Sequence, residues 1–546
     1  MTVRSVVAGA VLSVVLCAMN SYLTLSFGVI EEGPTIAALF FFAVFFLSRT
    51  KITTTEMVVV ATMGSAGGSF GFIANFYAAK AMTGTPYTLE QMIAFGIVSS
   101  LIGLTMAVPL RELLVRRGAL PWPGSRATES VIRTLVEEGD PRQPLYLLAA
   151  LVVSLCYVIC NNEDGVGWFP SELALPVLAA WGGAIALSPF ALGGSYLMSM
   201  RTCVGFLAGA VVLLVMARHT PVPGAPHKFV WPGIGFLTAS GLTLLAVNFK
   251  VIVESLGSLF SLSASTAADD AEHRVMSGRS LAIFATVAVT ASFLVLVMMF
   301  DVPWYLVIVL IAFGGLVQNM IATRAQAQTA FNPARVMGIL LEGVCAIFGG
   351  RATSINLTGA GFVAGSGAQA GTLTGDMAYG KPFRVPPKWQ FIVQAATVIP
   401  AAVVSAFVFQ WIAKQKDISL DSENLAAPVA KVWATTSLIF DGSMPMPPGA
   451  LDALLVGAIV GVLYTLFEQS ERVRTWLPCS VGLGIGMVLP VAYGLSFFIG
   501  GFVFWIVLGR YFKMTAATLT TISVGCIVAE GLGGVTKALL KTAGIL

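Results

Sequence analysis

Glu254, Glu342 and Glu530 stand inside long apolar runs, and so does Arg201. A charge at the centre of a bilayer costs roughly 2.5–3.5 kcal/mol on insertion scales, so each of these side chains needs a partner or a task. A carboxylate so placed could take up and release a driving proton, which makes Glu530, Glu254 and Glu342 the candidates for proton coupling. Plainer readings stand beside this one. Lys250 and Glu254 are four apart on one helical face and Glu530 and Lys537 are seven apart, so either pair could neutralise itself. Arg201 has no acidic neighbour in sequence; it could hold a substrate carboxylate or, equally, a helix-terminal carbonyl.

Uncharged polar residues form a second group. Asn20, Tyr22, Asn75, Tyr77, Gln318, Asn319, Asn356 and Gln369 sit on or beside glycine-rich apolar runs. Their donors and acceptors suit a polar, peptide-like solute, and they are the candidates for substrate binding. Interhelical hydrogen bonding, worth about 0.6 kcal/mol on average, explains any single one of them more simply. As a set they imply a wet interior.

The stretch GSGAQAGTLTGDMAYGKPFRVPPKWQF, residues 365–391, is a poor helix and a poor strand by propensity. A helix broken at Gly365, Gly367, Gly371 and Gly375 would free backbone polar groups that lipid cannot satisfy, so the segment 365–376 is expected to be interrupted or re-entrant and to face a cavity. Small-xxx-small packing of an intact helix fits Gly367, Gly371 and Gly375 as well. Asp376 stands beside a loop with Lys381, Arg384 and Lys388, and the expectation is that Asp376 and Lys388 take part in gating.

The elements that position these residues are membrane helices. The chain has 546 residues, 57% of them hydrophobic and only 11% charged, far below the roughly 25% charged residues of a soluble domain. Runs such as SLAIFATVAVTASFLVLVMMF are uncharged and long enough to span a bilayer at about 20 residues each. The fold class is therefore all-α, a polytopic integral membrane protein with roughly 14 to 16 transmembrane or re-entrant helices. The first run follows one Arg and shows no small-residue cleavage pattern, so it reads as a retained helix.

Basic residues set the orientation. Arg111, Arg116, Arg117, Arg126, Arg133 and Arg142 crowd one connection, whereas the next loop, NNEDGVGWFPSE, is acidic. The first is expected inside and the second outside, with a cytoplasmic N-terminus. The net charge of +4 reflects this bias, and no basic cluster points to nucleic acid.

Cysteine and histidine argue against several chemistries. The seven cysteines lie in apolar runs and read as buried, reduced packing residues; the three histidines fall in expected loops. No metal site and no cofactor are expected. The segment Leu-Thr-Gly-Asp at 373–376 lacks the first glycine of an intramembrane aspartyl protease signature, and no H-E-x-x-H occurs.

The chain also resembles itself. Residues 173–212 and 475–510 share two prolines around a small-residue stretch and then a glycine-bearing apolar run, and MNSYLTLSFG has a loose counterpart at 317–333. Two duplicated halves are expected, 1–275 and 276–546.

Five motifs in order resemble the oligopeptide transporter family, which includes the yellow-stripe metal–chelate transporters. They are AMNSYLTLSFG, the Thr-x-x-Glu helix entry of TTTEMVVVATMGSAGGS, PLRELLVRRGALPWPGSRATESVI, the 365–391 stretch with its RVPPKWQF box, and WLPCSVGLGIGM. The family often has a Lys two residues after the Asp, where this chain has Ala378. The resemblance implies a secondary active transporter importing small peptides or peptide-like and metal–chelate solutes, coupled to protons and working by alternating access. It further implies a bacterial-type member in the inner membrane, with lipid around it and a homodimer left open. The rival from another class is a membrane-embedded enzyme acting on a lipid-linked or peptide substrate, for which no nucleophile–base pair is visible.

Overall fold

The structure is a computed structural model. It describes all residues except 28–32, 48–50, 85, 118–119, 121, 134, 137–141, 163–164, 180–182, 220–229, 248–273, 330–331, 333, 349–351, 421–426, 444–448 and 543–546. Among the described residues ten helices are long and apolar enough to cross a membrane, and Gly33–Val44, Met200–Met216 and Met337–Phe348 are shorter apolar helices. Helix Thr353–Gly380 adds a further 28 residues whose glycine and hydroxyl content lowers its hydropathy. The protein is an all-α polytopic membrane protein. One short hairpin departs from this: Glu172–Ala174 pairs antiparallel with Ala184–Ala186, Leu173 opposite Ile185.

Local signals set many helix ends. Thr53 caps helix Thr54–Gly68 and Glu56 returns the bond to the Thr53 amide, a reciprocal capping box that fulfils the Thr-x-x-Glu entry read from the sequence. Thr88 and Gln91 do the same for Leu89–Arg111. Glu56, only 2% exposed, also pairs with Arg4 at 2.6 Å, tying the start of Val3–Phe27 to the start of Thr54–Gly68.

The chain forms two compact units. One comprises Met1–Asp140 and Asn248–Met444, the other Pro141–Val247 and Pro445–Leu546. Helix Thr353–Gly380 is the axis of the first unit, packed by Leu89–Arg111, Ala334–Phe348, Asn319–Thr329, Gly71–Met82 and Pro428–Asp441.

This helix differs from the expectation of an interrupted 365–376: it runs unbroken from Thr353 to Gly380 through seven glycines. The physical reason is close approach. A Cβ at Gly365 would lie 2.7 Å from Ser99 Oγ, and one at Gly367 2.8 Å from the Ala334 Cβ. With side chains this close, a broken turn would leave its backbone groups without partners, so the intact helix is the cheaper backbone.

A different helix is irregular. Trp304–Val309 widens into π-helical turns over Leu310–Gln318 before resuming as Asn319–Thr329. Such turns shift the hydrogen-bond register and are frequent at functional sites.

In the second unit, Gln143–Cys160 packs on Ala516–Thr542, and Val230–Val247 packs on Ala450–Glu468. Two broken helices lie against each other: Pro189–Gly194 with Met200–His219, and Ser480–Gly486 with Val491–Phe502. Their contacts are reciprocal. Gly209 approaches Gly486 while Gly500 approaches Ser195, and Gly494 meets Ala210 while Gly501 meets Cys203. Phe206 stacks on Phe497 at 4.5 Å between ring centroids.

All seven cysteines are free thiols; Cys17, Cys203 and Cys345 are buried, Cys160, Cys479 and Cys526 are half-buried, and Cys156 is exposed. The expectation that all are buried fails at Cys156 because a lipid-facing helix surface is as apolar as a core.

Candidate functional site

The polar residues of the first unit gather around helix Thr353–Gly380. Asn319, the first residue after the π turns, accepts at Oδ1 from Ser366 Oγ at 3.1 Å, and its own Nδ2 has no hydrogen-bond partner among the described residues. Gln318 donates to the Met337 carbonyl at 3.3 Å and leaves Oε1 without a donor. One turn on from Asn319, Thr323 Oγ1 is likewise unpartnered. All three side chains are fully buried. The π turns are what set Gln318 and Asn319 at the junction where helix Thr353–Gly380 presents Ser366 and Gly367.

Gln369, one turn beyond Ser366, donates to the Ala66 carbonyl at 3.4 Å and accepts from Gln394 Nε2 at 2.8 Å. Its amide is thus engaged by two other helices.

The remaining candidates of the first half hold helices together. Asn20 donates to the Gly68 carbonyl at 3.0 Å, Asn75 to Thr24 Oγ1 at 3.0 Å, and Tyr77 to the Met92 carbonyl at 2.8 Å. Tyr22 lies under the Lys416 ammonium, 5.7 Å from its ring centroid. Asn75 keeps Oδ1 unpartnered.

Glu342 and Asn356 lie on the two helices that approach each other at Gly338 and Ala360. Glu342, on helix Ala334–Phe348, is fully buried; its Oε2 accepts from Thr436 Oγ1 and its Oε1 has no partner. Asn356 is fully buried with neither amide atom paired.

At the other end of helix Thr353–Gly380, Asp376 accepts from Ser65 Oγ at 3.2 Å, and its backbone carbonyl accepts from Gln390 Nε2 at 2.7 Å. Gln390 also reaches Thr62, which meets Tyr379. Lys388 is exposed, and Lys381 donates to the Val115 carbonyl. Asp376 and Lys388 therefore mark one end of the helix, fastened by side chains from Thr54–Gly68 and Pro387–Gln415.

Arg201 and Glu530 belong to the second unit. Arg201 pairs with Glu468 and donates to the Leu477 carbonyl at 2.8 Å and the Pro478 carbonyl at 3.3 Å. Of its two sequence readings, the backbone-carbonyl role is the one occupied here. Glu530, 6% exposed, accepts from Ser188 Oγ at 3.2 Å and from the Phe190 amide at 3.4 Å; Lys537 reaches Asn161 at 3.4 Å. Glu254 and Lys250 lie outside the described residues.

Sequence reasoning did not single out Thr323, Thr436, Gln394 or Glu468, and Gln390 entered it only within the RVPPKWQF box. The signal was present for the amides and Glu468, polar groups within apolar runs; a hydroxyl in a helix gives none, because Ser and Thr bond their own backbone so readily.

A helical scaffold with unpartnered amides around an intact glycine-rich axis sits over the whole length that one family describes. The model of that family, described as "OPT oligopeptide transporter protein", matches residues 1–541. The chain belongs to the oligopeptide transporter family. It is also 23% identical over 249 residues to a Saccharomyces cerevisiae protein named "Putative oligopeptide transporter YGL114W", a match covering 44% of this chain and 34% of that protein. The chain thus spans about a third of the length of that relative. The family is one of transporters and not of enzymes.

Proposed function

We propose that this protein is a secondary active transporter that imports small peptides or peptide-like solutes, metal chelates of that kind included, by alternating access. The observation that carries this reading is the set of fully buried polar atoms left unpartnered beside the π turns: Asn319 Nδ2, Gln318 Oε1 and Thr323 Oγ1. A buried polar atom without a partner costs about 1–3 kcal/mol. A peptide group supplies an acceptor for the Asn319 amide and a donor for the Gln318 or Thr323 oxygen, so a peptide-like solute would recover that cost on binding.

Protons drive the import in this reading, and Glu530 carries them. Its carboxylate holds the start of the short helix Pro189–Gly194 through Ser188 and the Phe190 amide. Protonation would weaken both bonds and free that helix to move against Ala516–Thr542. The duplication into halves 1–275 and 276–546 fits the same scheme. Each of the reciprocal contacts of the second unit maps onto its counterpart by a constant shift of 291 positions, Ser195 to Gly486, Gly209 to Gly500, Cys203 to Gly494 and Ala210 to Gly501. Phe206 and its counterpart Phe497 stack on each other, as two residues on a two-fold axis must. The prolines that suggested the repeat do not follow this shift: Pro189 opens a short helix, whereas Pro490 precedes a long one.

The protein sits in the inner membrane of a bacterium with its N-terminus in the cytoplasm. A Cys placed at Lys388 in a Cys-free background should resist an impermeant thiol reagent added to intact cells; labelling from outside would reverse the orientation. Uptake of labelled di- and tripeptides into proteoliposomes tests the function, and Asn319→Leu should lower apparent affinity at least tenfold while the protein still folds.

A further inference from the structure

We propose that Glu342, Asn356 and Thr436 together form a binding site for a monovalent cation, sodium. Three helices of the first unit bring these residues to one level. Helix Ala334–Phe348 and helix Thr353–Gly380 pack closely, and at Gly338 a Cβ would meet the Ala360 Cβ at 3.2 Å and the Trp433 ring at 2.9 Å. One turn along from Gly338 is Glu342, and one turn back from Ala360 is Asn356, on the same faces as the residues already in contact. On helix Pro428–Asp441 the residue three on from Trp433 is Thr436, whose hydroxyl reaches the Glu342 carboxylate. Ser437 donates to the Thr353 carbonyl at 3.0 Å, and Trp433 and Ala360 both face Gly338, so helix Pro428–Asp441 runs beside helix Thr353–Gly380 over the stretch that carries Asn356.

The polar groups at this level are unbalanced. Glu342 and Asn356 are both fully buried, and among the described residues Oε1 of the one and both amide atoms of the other have no partner. Among the described residues no ion pair reaches Glu342. The other titratable groups nearby bring no positive charge, since Cys345 is a buried thiol and Asp441 accepts from Thr353 Oγ1. A carboxylate so deeply buried holds its charge only beside a compensating positive charge, which a bound cation supplies; without one it takes up a proton instead.

The donor set selects the class of cation. One carboxylate, one amide oxygen and one hydroxyl are hard oxygen ligands with a single negative charge between them. A divalent or soft metal would call for more carboxylates, or for His and Cys, and no group of three or more such residues occurs among the described residues. A small monovalent ion matches both the charge and the chemistry. This site does not depend on the reading of the protein as a peptide carrier, and sodium binding is measurable without any substrate.

The test uses the purified full-length protein in detergent, with 22Na+ in equilibrium dialysis at fixed pH and choline as the replacing cation. Saturable binding near one sodium per chain is expected, with at least a tenfold loss of affinity in Glu342→Gln and in Asn356→Ala. Both variants should keep the wild-type elution profile; should Glu342→Gln fail to fold, Asn356→Ala and Thr436→Val carry the same prediction. Absence of saturable 22Na+ binding to the wild type, or wild-type affinity in a folded Asn356→Ala, would overturn the proposal. Peptide uptake driven by a pH gradient could persist in either case, which separates this failure from failure of the carrier reading.

Discussion

Arg201 shows how much a single side chain can hide. Its guanidinium ties Glu468 to the carbonyls of Leu477 and Pro478, where the chain turns out of one helix and toward the next. Arg201→Ala would strip three bonds at once and leave the Glu468 carboxylate without its ion-pair partner in a mostly buried place, which should cost roughly 1–3 kcal/mol. Thermal unfolding in detergent measures it, and Arg201→Lys should recover little, because a point-like ammonium cannot span a carboxylate and two carbonyls. Thr436 makes a second case: Thr436→Val keeps shape but removes the one hydroxyl bonded to the buried Glu342 carboxylate, and Thr436→Ser should restore most of the lost stability. The carbonyl role of Arg201 was legible in the sequence as one of two readings. Its partner was not, since Glu468 lies 267 positions away.

Helix Thr353–Gly380 was legible as a special segment but not as an intact one. Propensity charges each glycine about 1 kcal/mol against alanine, and that arithmetic favoured a break. What overrides it is packing: the missing side chains let Phe76, Ser99 and Ala334 come close, and apolar surroundings make an open turn dearer than the propensity loss. Enlarging these positions should therefore act on the fold. Gly361→Leu, where even a Cβ would meet the Phe76 ring at 2.6 Å, is expected to lower the melting temperature far more than the same change at exposed Gly278, where a Cβ meets nothing within 4 Å. The π turns over Leu310–Gln318 carried no such warning, because LIAFGGLVQ reads as an ordinary apolar run and the bulge arises from how it meets its neighbours.

At the level of the molecule, family and fold class were legible because they rest on local motifs and composition; the match over residues 1–541 bears out the first and the apolar helices the second. The division into two units was not, because each unit joins two segments far apart in sequence. A two-fold relation predicts equal penalties at equivalent sites: Gly209→Leu and Gly500→Leu should lower stability by similar amounts, and a large difference between them would argue against equivalence. The central claim is import of peptide-like solutes driven by protons, and it is tested most directly in proteoliposomes that hold the purified protein under an imposed pH gradient, acid outside. The account predicts that labelled di- or tripeptide accumulates above its external concentration, that collapse of the gradient abolishes accumulation, and that Glu530→Gln exchanges peptide across the membrane without concentrating it. Accumulation by Glu530→Gln equal to the wild type, or no gradient-dependent uptake of any peptide by a folded wild-type protein, would contradict it.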